Sequence, residues 1–183
     1  MEERSTLANY LRSRHGATYF FTLVTANRRP ILTTRLGRRC LREAFSVARH
    51  SRPFEVLAIV LLPDHLHTIW ELPLGDADYS TRWRHIKSEF TRRWISGGGR
   101  EAETSNSRQI RGERAVWQRR FYEHTCRSSE DVKRLADYIH VNPLIRSSMG
   151  WSLKFAIGRG LPSIDLFDLG NIRPTGEALS LRS

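Results

Sequence analysis

The chain carries apolar and polar positions in two different periods. Residues 56–62 are apolar without a break, and after Pro63-Asp64 a second apolar stretch resumes through Ile69-Trp70. Neither stretch alternates cleanly, so both read as central strands covered on both faces, at 54–62 and 65–72. Upstream, Tyr19-Phe20-Phe21-Thr22-Leu23-Val24-Thr25 is rich in aromatic and β-branched residues and reads as a first strand, broken by Asn27-Arg28-Arg29-Pro30. The helical period takes over at 36–50, where Leu41, Ala44, Phe45 and Ala48 recur at threes and fours before Pro53. A second helix is expected at 80–95, with Trp83, Ile86, Phe90 and Trp94 on one stripe and Arg82, Arg92 and Arg93 around it. A fourth strand is expected at 117–126, with Arg119, Arg120 and His124 interleaved among Trp117, Phe121 and Tyr122. Ser128-Ser129-Glu130-Asp131 places hydroxyl caps ahead of acidic first-turn residues. The helix that follows should run to about 141 and stop before Pro143.

The order is therefore strand, helix, strand, strand, helix, strand, helix. The Pro63-Asp64 connection is too short for a crossover, so the second and third strands must pair antiparallel. That order predicts an α+β ferredoxin-like sandwich with an antiparallel sheet and an added C-terminal helix. Residues 1–17 read as a polar, basic arm. The polar, aperiodic stretch 96–114 reads as a mobile loop inside one domain spanning 1–150. Residues 151–183, with Trp151, Phe155, Leu166 and Phe167 amid glycines and prolines, read as a separate tail with no assigned role.

Composition narrows the partners. Thirty Lys plus Arg against nineteen Asp plus Glu, in 183 residues, give a formal charge of +11. Lysine occurs only at Lys87, Lys133 and Lys154, so the positive charge is overwhelmingly guanidinium. Guanidinium suits bidentate phosphate contacts and stacking on bases, which favours nucleic acid as the partner. Cys40 and Cys126 cannot make a disulfide framework and read as reduced thiols. With no apolar run of membrane-span length and no signal-peptide core, the expected compartment is the cytoplasm.

Two local patterns carry candidate chemistry. His65 and His67 lie two apart on a predicted strand, so they share a face about 7 Å apart along the chain. Such a pair can grip one metal ion, or serve as ordinary strand histidines. Tyr138 and Asn142, one helical turn apart, can face one ligand, or act as a boundary ring and a C-terminal cap. Taken together the two patterns favour chemistry. A phenol is a weak nucleophile near neutral pH, and a metal that polarises a phosphate offsets that weakness. His65, His67 and the Asn142 carboxamide would leave metal positions open for phosphate oxygens, with Tyr138 placed to attack.

Three ordered segments carry a family resemblance: Pro63-Asp64-His65-Leu66-His67, Trp117-Gln118-Arg119-Arg120-Phe121-Tyr122-Glu123-His124, and Tyr138-Ile139-His140-Val141-Asn142-Pro143. Together with Tyr19-Phe20-Phe21-Thr22 and Arg29-Pro30, they resemble the signatures of REP-associated tyrosine transposases, in the single-tyrosine HUH superfamily. The resemblance spans about 17–150. It implies an enzyme that cuts and rejoins single-stranded DNA at repetitive palindromic hairpins, bearing an unpaired tetranucleotide beside the stem. It implies Mg²⁺ or Mn²⁺ held by His65, His67 and Asn142, and attack by Tyr138 to give a 5′-phosphotyrosine and a free 3′-hydroxyl. No nucleotide cofactor is needed, and the implied setting is the bacterial nucleoid, as monomer or homodimer. Two nitrogen ligands suit Mn²⁺ better than Mg²⁺. The family's Trp-Pro-Tyr-Ser-Ser-like element is replaced here by Trp151-Ser152-Leu153-Lys154-Phe155.

Arg119, Arg120 and Lys87 are the candidate DNA contacts. His85, His124 and His140 are off the ligand spacing, and Tyr122 reads as structural. Three other functions fit less well: a hairpin-binding protein without turnover, a relaxase-like or replication-initiator-like nickase, and a metal hydrolase. The first would not need the Tyr138, His65, His67 and Asn142 set. The second would need a helicase segment or a second paired tyrosine, and the third more carboxylate ligands.

Overall fold

A computed structural model describes residues 17–103, 110–147 and 155–157, with backbone alone at 141–147 and 155–157. All but the last residue of the expected arm at 1–17, the middle of the 96–114 loop and most of the tail lie outside the described residues. Five strands, β1 (Thr18–Val24), β2 (Glu55–Leu61), β3 (His65–Glu71), β4 (Tyr122–Cys126) and β5 (Phe155–Ile157), form one sheet in the order β4-β1-β3-β2-β5. Every neighbouring pair is antiparallel. The helices are α1 (Arg35–Ser51), α2 (Tyr79–Ser96) and α3 (Ser129–Ser147). Without β5 this is the ferredoxin-like arrangement that the element order predicts.

The uninterrupted apolar runs find their explanation in the layers. One face of the sheet, through Phe21, Leu23, Leu61, Leu66 and Trp70, packs against α1 and α2. The other, through Phe20, Leu57, Val60 and Ile69, packs under Ile139, Leu135 and Ala136 of α3. α1 starts at Thr34, whose side chain accepts from Gly37 N at 3.0 Å, and α2 at Asp78, which accepts from Thr81 N at 3.1 Å. The predicted α2 stripe is core: Trp83, Ile86, Phe90 and Trp94 are all buried. Arg82 is buried with them, bound to both carboxylate oxygens of Asp76 at 2.7 and 3.1 Å and to the Pro53 carbonyl at 2.8 Å.

Two element boundaries need correction. β4 begins at Tyr122, not at 117. Trp117 makes only an isolated bridge to Thr25 and turns its ring into the core, 4.9 Å from Phe90. Residues 118–121 then form a link held by Lys87 Nζ, which donates to the carbonyls of Gln118 and Arg119 at 2.8 and 3.2 Å. α3 does not stop before Pro143 but continues to Ser147. A proline inside a helix removes the one amide that would have met the carbonyl of residue 139, and the helix runs on through that loss.

The described ends of the 96–114 stretch are anchored. The Arg100 carbonyl accepts from Trp94 Nε1 at 2.9 Å and Arg29 Nη1 at 2.6 Å, and Ala102 N donates to Ala115 O at 2.9 Å. Both cysteines are free thiols, and burial pushes that of Cys126 up to about 12. Among the described residues no helix is long and apolar enough to cross a membrane.

Candidate active site

β3 occupies the middle of the sheet, and its register with β1 pairs His65 with Val24, His67 with Thr22 and Ile69 with Phe20. Since Phe20 and Ile69 face α3, strand alternation puts both histidines on that same face. Their rings lie 5.0 Å apart, and the two residues are only 7% and 5% exposed. The expectation of a shared face therefore holds.

Each imidazole has its Nδ1 engaged. Asp64 Oδ1 lies 2.6 Å from His65 Nδ1, and because a carboxylate only accepts, the ring donates there. Thr22 Oγ1 lies 2.8 Å from His67 Nδ1. Burial pushes the Asp64 carboxyl up, but hydrogen bonds from His65 and Arg28 outweigh it. The group is held below the usual carboxylate range. Arg28 reaches Asp64 at 3.0 Å from a backbone in the left-handed region, φ 50°, following Asn27 at φ 53°. A non-glycine pair there is uncommon, and it turns the chain so that the Arg28 side chain returns to β3's entrance. With Nδ1 of each ring engaged, Nε2 is the nitrogen that a metal would take in each. Metal-binding histidines are commonly oriented by an acceptor behind them, such as the carboxylate behind His65.

α3 carries Tyr138 to this place. Its ring centroid stands 5.2 Å from that of His67 and 6.2 Å from that of Phe20, and the residue is 48% exposed. The helix is docked at its start. Asp131 takes His124 Nε2 of β4 at 2.7 Å, Arg134 Nη2 at 2.7 Å and the Arg127 amide at 3.3 Å. Those hydrogen bonds, that of His124 foremost, hold the Asp131 carboxyl down at about 2. Asn142 lies on α3 four residues beyond Tyr138, and its side chain is outside the described residues. Among the described residues no group of three or more His, Cys, Asp or Glu forms a metal cluster.

The three candidate DNA contacts gather elsewhere, around the 118–121 link on the α2 side. Lys87 is held by the two carbonyls named above and sits 5.5 Å from the centroid of the Phe121 ring. Arg119 pairs with Glu113 at 2.6 Å, and Arg120 is exposed. Beside them runs a groove of about 950 Å³ lined by Arg84, Lys87, Arg92, Arg114 and Arg119. Its charge is partly cancelled: Arg92 pairs with Glu89, and Arg114 with Glu101. Pattern reading missed Thr22 and Asp64 as partners of the histidines, and Arg28 as the partner of Asp64. Asp64 is adjacent to His65 and was within reach of inspection; Thr22 and Arg28 depend on a pairing register that no local pattern encodes.

Residues 13–142 match a family described as "Transposase IS200 like". The chain is 37% identical over 158 residues to the REP-associated tyrosine transposase of Escherichia coli (strain K12), covering 82% of this chain and 84% of that one. It also resembles a solved structure of a REP-associated tyrosine transposase bound to a REP hairpin. That match has a TM-score of 0.57 and 38% identity, and covers 75% of this chain and 71% of the other.

Proposed function

The chain belongs to the IS200-like transposase family, and we propose that it cuts and rejoins single-stranded DNA at palindromic hairpins of the REP type. The observation that carries this reading is the Tyr138 ring standing 5.2 Å from His67, above the strand that bears both buried imidazoles.

In this reading the scissile phosphate lies between the imidazoles and the Tyr138 hydroxyl. The phenol oxygen attacks phosphorus in line, the tyrosine–phosphate bond forms, and the 3′-oxygen leaves. Tyr138 is half exposed, so its proton passes to water, and the departing 3′-oxygen takes one up. Rejoining reverses the step: a 3′-hydroxyl attacks the 5′-phosphotyrosine and releases the phenol. The phosphodiester energy is retained in the protein link, which is why no nucleotide cofactor is required.

His65 and His67, through Nε2, together with Asn142 would hold Mg²⁺ or Mn²⁺. A metal held there would supply polarisation of the phosphate and stabilisation of charge on the leaving oxygen. Asp64, accepting from His65 Nδ1, keeps that ring in the tautomer whose Nε2 can ligate, Thr22 holds the orientation of the His67 ring, and burial of the rings keeps competing water from their nitrogens. Arg119, Arg120 and Lys87 would meet phosphates away from the cut, positioning the DNA without choosing its sequence.

A labelled hairpin with its unpaired flank, taken from the DNA beside the protein's own gene, tests the reading. Incubation with Mn²⁺ should yield a protein–DNA adduct stable in denaturant, and Tyr138→Phe should yield none. An adduct that survives this substitution, or no adduct from any hairpin in that neighbourhood, overturns it.

A further inference from the structure

At the entry to β4 two successive aromatic residues, Phe121 and Tyr122, face opposite sides of the sheet. Phe121, just ahead of β4, packs on the α2 side, with ring centroids 5.9 Å from Phe21 and 6.1 Å from Trp83. Tyr122 points the other way and is 60% exposed. Its cross-strand partner is Thr22, and Thr22 is in turn the partner of His67. Tyr122, Thr22 and His67 thus form one row on the α3 face, with Tyr122 about 10 Å from His67, two strand spacings away.

Phe20 joins this row to the nucleophile. It is 4% exposed and meets Tyr122 edge-on at 6.3 Å and Tyr138 edge-on at 6.2 Å, each at an interplanar angle of 70°. Two solvent-facing phenol rings therefore flank one buried phenylalanine beside the histidine pair. Tyr122 contributes little to the core, since Phe121 fills that role on the other face. An exposed aromatic ring on an edge strand leaves apolar surface in water, and its free face suits a flat, apolar partner.

Resting on the transposase reading, we propose that Tyr122 is a stacking platform for the unpaired base next to the scissile phosphate. A nucleobase lying on the Tyr122 ring would be separated from Tyr138 by the width of Phe20, which sets its phosphate over His67. Aromatic stacking is tolerant of base identity because every base has a π-face. The platform therefore fixes where the strand is cut, while the choice of bases is made by hydrogen bonds elsewhere. Tyr122 is here a positioning residue, and Tyr138 alone forms the covalent link.

The test places 2-aminopurine, a fluorescent base, on either side of the scissile phosphate in the hairpin oligonucleotide. Binding to the non-cleaving Tyr138→Phe protein should quench emission at one of the two positions, and adding Tyr122→Ala should restore it. In the otherwise native chain, Tyr122→Ala should slow single-turnover adduct formation by about tenfold to a hundredfold. Tyr122→Phe and Tyr122→Trp should recover most of that loss, and all three should bind a stem without its flank equally. Because Tyr122 is exposed, the melting temperature should not move. Quenching and adduct rate that persist in Tyr122→Ala overturn the proposal, as does an alanine defect that phenylalanine fails to rescue. Absence of adduct with the native chain would instead sink the transposase reading, and the emission arm would still decide whether a base stacks here.

Discussion

Thr22 Oγ1 lies 2.8 Å from Nδ1 of His67, across the pairing of β1 with β3. In the proposed metal site a hydrogen bond there would orient the ring with Nε2 toward the ion. Thr22→Val keeps the shape and removes the oxygen, so metal affinity should fall about tenfold to a hundredfold. Titration of cleavage with Mn²⁺ measures it: the midpoint should rise while the rate at saturating metal recovers. An unmoved midpoint would show that Thr22 does not orient the ring.

Removal of a ligand should cost more than removal of its support. His65→Ala and His67→Ala should each lower Mn²⁺-dependent adduct formation by more than about a hundredfold. Asn142→Ala should be milder, since water replaces a neutral oxygen ligand. Cleavage by the native chain that continues in excess chelator would refute a metal role altogether.

Arg120 is exposed on the 118–121 link, and with a formal charge of +11 the chain should bind single strands with steep salt dependence. Arg120→Ala should weaken hairpin and random single strands alike and lower the slope of log K against log salt by about one. A loss confined to the cognate hairpin would move Arg120 from phosphate positioning to base readout.

The buried Arg82 is bound to Asp76 and to the carbonyls of Pro53, Arg52 and Asp78. Arg82→Met leaves those acceptors unmatched, so stability should drop by about 3 kcal/mol, read from urea unfolding. A change under about 1 kcal/mol would mean that water or neighbouring groups satisfy them.

Asp131 ties α3 to β4, and its carboxyl sits at about 2 in the folded chain against about 3.9 when unfolded. A depressed value means that its contribution is fully present above pH 4 and is lost as pH falls toward 2. Asp131→Asn should flatten that part of the acid unfolding curve, followed by circular dichroism. An identical curve for the variant would remove Asp131 from the docking of α3.

The histidine pair and the tyrosine helix were legible because each is local: a two-residue spacing on a strand and a four-residue spacing on a helix. The ferredoxin-like order followed from the same local periods plus one short connection. What escaped was non-local. Thr22 and His67 are 45 residues apart and Arg28 and Asp64 are 36 apart, joined only by strand register and one left-handed turn. Trp117 looked like strand because its neighbours alternate, yet burial of its ring outweighed pairing. Pro143 looked like a stop because proline usually is one, and the burial of Arg82 beside the α2 stripe follows from its pairing with Asp76, which the helical period does not encode.

α3 can also be considered as a lever. Its pivot is Asp131, clamped to β4, and Tyr138 lies seven residues further along, an arm of about 10 Å. Rotation of about 5° at the pivot carries the phenol sideways by about 1 Å, a displacement that can cost a hundredfold in rate. In the proposed reaction the aim of Tyr138 therefore depends also on the far end of the helix, where His124 of β4 holds Asp131.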